Sequence, residues 1–203
     1  MVKRRFRKVL SVSKYILYKE TLVDFKEIFW SFPGAFIGIA LIAFFQSSFL
    51  TQNENIFLIG SFGASSVLVY GAVQSPMAQP RNLIGGHLIS ALIGVSAYTF
   101  LPNIIWLTAP FAVALSIVLM QVTKTLHPPG GATALIAIIG SEKVKALGFM
   151  YVLSPVLSGS LILFIVACIF NNMTPNRRYP TTKRFTKSVK KLLVLRRRYI
   201  NNI

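Results

Sequence analysis

The residues best suited to chemistry stand in one run, Leu126-His127-Pro128-Pro129-Gly130-Gly131-Ala132-Thr133, set inside an apolar stretch. Proline lacks a backbone N–H and fits only the first turn of a helix, so the pair at Pro128 and Pro129 predicts a helix from Gly130 to Gly140. Bare amides at such an N-terminus carry roughly half a positive charge and make a ready anion site, with His127 beside it. Three roles are open to His127: binding an anion, relaying a proton, or capping the preceding helix. A histidine's ordinary pKa of about 6.5 suits the relay, because it changes charge near neutrality. A second run, Gly63-Ala64-Ser65-Ser66, is like Gly131-Ala132-Thr133-Ala134, and each opens an aliphatic stretch closed by glycine, at Gly71 and Gly140.

These runs must be held by membrane helices. The chain has 203 residues, 54% apolar and 13% charged, which is the balance of a membrane domain. Its net charge of +17 sits at the two ends: eight Lys/Arg fall by Lys26, ten follow Asn176, and only Arg81, Lys124, Lys143 and Lys145 lie between. A nucleic-acid-binding chain would stripe a soluble surface with its basic residues, so that class is set aside, and anionic lipid is the expected partner of both basic ends. The single cysteine, Cys168, excludes an internal disulfide, and no cofactor is expected. The first apolar segment follows about thirty residues without a small-residue cleavage site, so the first helix is expected to direct insertion.

In chain order, residues 1–30 read as a basic interfacial segment, with Phe6, Val9, Leu10, Ile16 and Leu17 on one side. Membrane helices are expected at about Pro33–Leu50, Ile56–Val73, Leu83–Leu101, Ile104–Thr123, Gly130–Gly140 and Leu147–Phe170. The segment at 56–73 is rich in small residues, which let backbones approach closely and leave room for a path. Gln74 to Asn82 is polar and punctuated by proline, and is expected to lie against protein or in a cavity. Residues 176–203 form a basic tail with an apolar side, read as a second interfacial helix. Both termini are expected on the cytoplasmic side of a plasma (inner) membrane, which requires an even number of crossings, either six or four with two re-entrant helices. The fold class is therefore an all-α polytopic membrane protein of about six hydrophobic segments in two pseudo-repeats, two of them short or re-entrant, flanked by basic amphipathic terminal helices. Inverted and parallel repeats both remain open, and each puts two short helix ends face to face near the midplane, where transporters bind substrate.

Intramembrane ionisable groups are functional candidates. Arg81 could pair with substrate or anchor to lipid phosphate, while Lys124 reads as a topology signal and His87 as a packed, hydrogen-bonded histidine. Glu142, Lys143 and Lys145 read as a solvated connection.

The motifs His127-Pro128-Pro129-Gly130-Gly131-Ala132-Thr133-Ala134, Ser61-Phe62-Gly63-Ala64-Ser65 and Ser75-Pro76-Met77-Ala78-Gln79-Pro80-Arg81-Asn82 resemble the signature of the HPP family of integral membrane proteins, over roughly Pro33 to Phe170. The resemblance implies a small membrane protein, with nitrite transport associated with some members. The resulting expectation is a transporter or channel, not an enzyme, for a small inorganic anion, nitrite first. Its cradle would be Gly63, Ala64, Ser65 and Ser66 with Gly130, Gly131, Ala132 and Thr133, assisted by His127, Arg81 and Gln79. The small-residue faces allow a homo-oligomer. The competing reading is a membrane interaction or regulatory protein that uses its basic ends to hold lipid or a partner.

Overall fold

The computed structural model describes residues 25–48 and 60–181, and every element among them is helical. Helix α1 is Phe25–Ser47. Helix α2 is described from residue 60 and runs through 66 into a π turn, Val67–Gly71. A 3-10 turn, Pro76–Ala78, leads to α3, Pro80–Phe100, and α4, Ile105–Val122. The short helices α5, Pro129–Ile139, and α6, Glu142–Ala146, follow. A π segment, Val152–Leu157, then continues into α7, Ser158–Phe170.

Length divides these helices into two kinds. Four segments, Ile28–Ser47, Pro80–Phe100, Ile105–Val122 and Val152–Phe170, are long and apolar enough to cross a membrane. At a rise of about 1.5 Å per residue each reaches close to the roughly 30 Å hydrocarbon thickness. The 11 residues of α5 cover only about 16 Å, half that depth. The six expected hydrophobic segments are thus present as four long helices and two others, α2 and α5. Their arrangement as pseudo-repeats is taken up below, and the expected terminal helices lie almost wholly outside the described residues.

Proline sets the starts. Pro80 and Pro129 occupy the first turns of α3 and α5, where the missing N–H costs nothing. Helix α1 departs from the expected Pro33 start and begins eight residues earlier, at Phe25, taking Pro33 into its interior. The last part of the stretch read as interfacial, from Phe25 to Trp30, is therefore already helix. The last long segment breaks at Ser154, which is extended (φ −137°, ψ 120°), as the residue before a proline prefers.

Helix α3 is central, entering all three buried apolar clusters: through Leu83 against Ile42, Phe62, Tyr70 and Leu163; through Ala91 and Val95 against Ile136 and Tyr151; and through Ala97 against Ala112, Ala134 and Ile138. One face of α3 carries Gly86, Ser90 and Gly94 at four-residue intervals. A Cβ at Gly94 would stand 2.5 Å from the Ala134 carbonyl oxygen, and one at Gly130 would stand 2.7 Å from Ser90 Oγ. Backbone contact between α3 and α5 therefore depends on these glycines. The outside is aromatic and apolar: Phe32, Phe36, Phe44, Trp106 and Phe111 are exposed while Ser61, Ser65, His87, His127 and Thr133 are buried. That inversion of polarity suits a bilayer, where lipid meets the apolar exterior.

Candidate functional site

The site begins at the end of α4. Lys124 takes the left-handed conformation (φ 57°), Thr125 N donates to Met120 O at 2.8 Å and Lys124 N to Gln121 O at 3.1 Å. This is the Schellman pattern, with lysine where glycine is usual. It turns the chain so that Thr125-Leu126-His127-Pro128 runs back over the start of α3. Two side chains from that start hold the loop in place: Arg81 donates to the Thr123 carbonyl at 2.7 Å and Asn82 to the Leu126 carbonyl at 2.8 Å. The guanidinium also places positive charge at the carbonyl end of α4, where the helix dipole favours it. Gly86 leaves room for the loop, since a Cβ there would meet the His127 Cβ at 2.5 Å.

His127 is thereby buried, with both ring nitrogens engaged. Nδ1 lies 2.9 Å from the Met77 carbonyl oxygen, which can only accept, so Nδ1 carries the hydrogen and donates. Nε2 lies 2.9 Å from Ser65 Oγ. The same hydroxyl lies 2.8 Å from Nε2 of His87, whose Nδ1 lies 2.7 Å from Thr133 Oγ1. Thr133 Oγ1 in turn lies 2.7 Å from Ser61 Oγ, which donates to the Pro129 carbonyl at 3.0 Å. The result is one unbroken buried chain from Met77 through His127, Ser65, His87, Thr133 and Ser61 to Pro129. Phe62 covers His87, with ring centroids 5.0 Å apart, and the two imidazoles meet edge to face at 4.9 Å. Burial pushes the His127 imidazole down to about 4, although the Met77 carbonyl pulls the other way. At neutral pH it is uncharged, and with its Nδ1 hydrogen held by Met77 a relay through it begins with proton uptake at Nε2.

Of the residues expected at the site, the fold brings His127, Ser65 and Thr133 into this chain. Ser66 is buried close by but donates to the Phe62 carbonyl of its own helix. Gly130 serves the α3 contact, while Gly131, Gly63, Ala64 and Ala132 point away from the buried chain: a Cβ at Gly63 meets nothing within 4 Å, a Cβ at Gly131 meets only Val113 at 3.8 Å, and both alanines are exposed. Gln79 braces the polar turn, with Nε2 donating to the Val73 and Ser75 carbonyls and Oε1 accepting from Thr181 N. Arg81 is likewise a brace, outside the chain.

The bare amides expected at the start of α5 are a point of correction. Gly130 N donates to the His127 carbonyl at 2.8 Å and Gly131 N to the Pro128 carbonyl at 3.1 Å, so the tight turn through two prolines satisfies both internally. The donors available to a ligand are the hydroxyls and imidazoles. Two members of the chain, His87 and Ser61, were absent from the expected set. His87 is packed and hydrogen-bonded, as read from sequence, yet it is the centre of the chain. The signal that could have marked it is that the sequence holds only two histidines, both within the apolar body.

A family model of the HPP transmembrane region matches residues 20–180. A transmembrane protein of Dictyostelium discoideum is 45% identical over 162 residues, which are 77% of this chain and 51% of that protein. A second transmembrane protein of the same organism is 38% identical over 193 residues, 87% of this chain and 67% of that protein. The chain thus spans about half the length of the first relative and two thirds of the second. No solved structure matches it.

Proposed function

We propose, from the premise that the chain belongs to the HPP family of transmembrane proteins, that it is a permease for a small inorganic anion, nitrite first, which passes along the buried chain of Ser61, Ser65, His87, His127 and Thr133. The observation that carries this reading is the burial of five polar side chains, two of them imidazoles, among helices long enough to cross a bilayer. Polar groups at such depth cost several kcal/mol each when unpaired, and in membrane proteins they mark pathways. Hydroxyl and imidazole hydrogens swing from one acceptor to another at small cost, so an anion can replace their protein acceptors one by one. The positive end of α5 adds favourable potential at the same place.

The order of segments supports an internal repeat. Helices α1, α2 and α3 are followed by α4, α5 and the segment ending at Phe170, and the first and last segment of each trio is long enough to cross a membrane. Ser65 of Gly63-Ala64-Ser65 and Thr133 of Gly131-Ala132-Thr133 approach opposite ring nitrogens of His87. In this reading the two halves are pseudo-repeats that share one polar centre, and transport makes or breaks no covalent bond. Its setting is a plasma (inner) membrane with both termini cytoplasmic. Anionic lipid at the basic ends and a second copy of the chain complete the expected partners.

The test is flux. Purified protein in liposomes should carry nitrite saturably, and faster than chloride. Liposomes no leakier to nitrite, nitrate, formate or chloride than protein-free ones would end the anion reading.

A further inference from the structure

The buried chain makes six contacts: Met77 O to His127 Nδ1, His127 Nε2 to Ser65, Ser65 to His87 Nε2, His87 Nδ1 to Thr133, Thr133 to Ser61, and Ser61 to Pro129 O, all between 2.7 and 3.0 Å. Each contact needs one hydrogen. Two neutral imidazoles supply one N–H each and three hydroxyls one O–H each, which is one hydrogen short. Two further acceptors compete for the same hydroxyls, Ser61 O at 3.1 Å from Ser65 and Pro129 O at 3.5 Å from Thr133, so the shortage is real. In the neutral state, with Ser61 donating to Pro129, Thr133 donates to Ser61, His87 Nδ1 to Thr133 and His127 Nδ1 to Met77, so the one hydrogen of Ser65 serves only one of the two Nε2 atoms and the missing hydrogen falls between the imidazoles. One added proton fills all six.

We propose that His87 and His127 form a proton-sharing pair bridged by the Ser65 hydroxyl, which takes up a single proton when an anion enters, so that the two cross together. The inference rests on the anion-permease reading above. With the added proton on His87, Ser65 donates to His127. The charge moves when the Nε2 proton of His87 passes to Ser65 Oγ while the Ser65 hydrogen passes to His127 Nε2. One N–H and one O–H break, one O–H and one N–H form, and no redox partner is needed. The Met77 carbonyl fixes the direction of His127 in both states.

Among the described residues no carboxylate bonds to the pair, and the counter-charge comes from the ligand. Around the pair stand Phe62 from α2, whose ring covers His87, Thr133 from α5 at His87 Nδ1, and the Met77 carbonyl at His127 Nδ1. Tyr151 donates to the Thr133 carbonyl, and Arg81 is bound at Thr123. The one carboxylate among the described side chains, Glu142, is exposed on α6 and paired with Lys145. A proton on the pair therefore favours an anion beside it and the anion favours the proton, by the same factor in each direction. Proton and nitrite together are neutral, so their passage does no work against a membrane potential.

Both histidines of the chain belong to the pair, so nitrogen-15 NMR of histidine-labelled full-length protein reads it without interference. On titration from pH 7 down to 3.5, both rings should move together with one midpoint and one proton per chain, and nitrite should raise that midpoint. A tenfold tighter hold on nitrite by the protonated form corresponds to one pH unit. In Ser65→Ala the joint movement should be lost and a single ring should titrate. Separate midpoints in the wild-type protein, or no nitrite-dependent shift, would overturn the proposal whether or not the variant folds. Nitrite flux that carries current with no proton would overturn it too while leaving the permease intact. Joint titration that responds to nitrite in a protein that moves none would uphold the pair and end the permease reading instead.

Discussion

Gly63-Ala64-Ser65 and Gly131-Ala132-Thr133 are nearly the same tripeptide, and each sends one hydroxyl to a nitrogen of His87. What surrounds them differs. The second is preceded by a Schellman turn, two prolines and a loop bound by Arg81 and Asn82, which fix the start of α5 and deliver His127. The first runs into a π turn, where Tyr70 packs against Gly34 and Gly38 of α1. Helix α5 is thus positioned by its beginning, and the described part of α2 by what it packs on at its end. Similar sequences supply the polar atoms, and different flanking contacts hold them.

Replacing the shared residue breaks both contacts at once. His87→Leu takes one partner each from Ser65 and Thr133, and should cost about 2–4 kcal/mol and abolish flux; thermal unfolding in detergent and a flux assay check the two effects. A next test singles out the second run by pH. His127 is delivered by the loop before α5, and its folded value of about 4 lies below the unfolded value near 6.5. Its contribution is complete above pH 6.5 and fades as pH falls toward 4, by about 3 kcal/mol at the limit. His127→Gln should flatten the loss of melting temperature between pH 7 and 4.

Glycine positions sharpen the comparison further. Gly130→Ala drives a Cβ onto Ser90 Oγ and the Gly86 carbonyl, and should destabilise by about 1–3 kcal/mol. Gly131→Ala and Gly63→Ala enter open space in the two halves and should leave flux and unfolding unchanged or gain up to about 1 kcal/mol. Equal damage from all three would mean that the outward faces are as crowded as the inner one. The smallest expected effect is at Lys124, where Lys124→Gly relieves a left-handed lysine and should stabilise the turn by about 1 kcal/mol, seen as a small rise in melting temperature.

Much of the helical plan was legible because apolar length and proline position are local signals. Pro80 and Pro129 mark starts within three residues of those expected, and the run from Gln74 to Asn82 reads as polar chain held against protein, which it is: Gln79 and the Met77 carbonyl both bond inward. Pro33 misled, because an aromatic stretch can extend a helix N-terminal to a proline when neighbouring helices support it. The site was half legible. His127, Ser65 and Thr133 stand in recognisable motifs, but His87 gains its importance only when α2 and α5 meet across α3, and no spacing in the chain announces that. The amides of Gly130 and Gly131 show the opposite failure: the local pattern promised free donors, and the turn that the prolines impose consumes them.

The most direct measurement is nitrite flux into liposomes by folded Ser65→Ala set beside folded Gly131→Ala and the unmodified chain. If the buried hydroxyl chain is the pathway, Ser65→Ala loses at least about tenfold, roughly 1.4 kcal/mol of barrier, and Gly131→Ala keeps the full rate. Flux that survives loss of Ser65 but falls with Gly131→Ala would place the pathway on the outward small-residue faces and contradict the account.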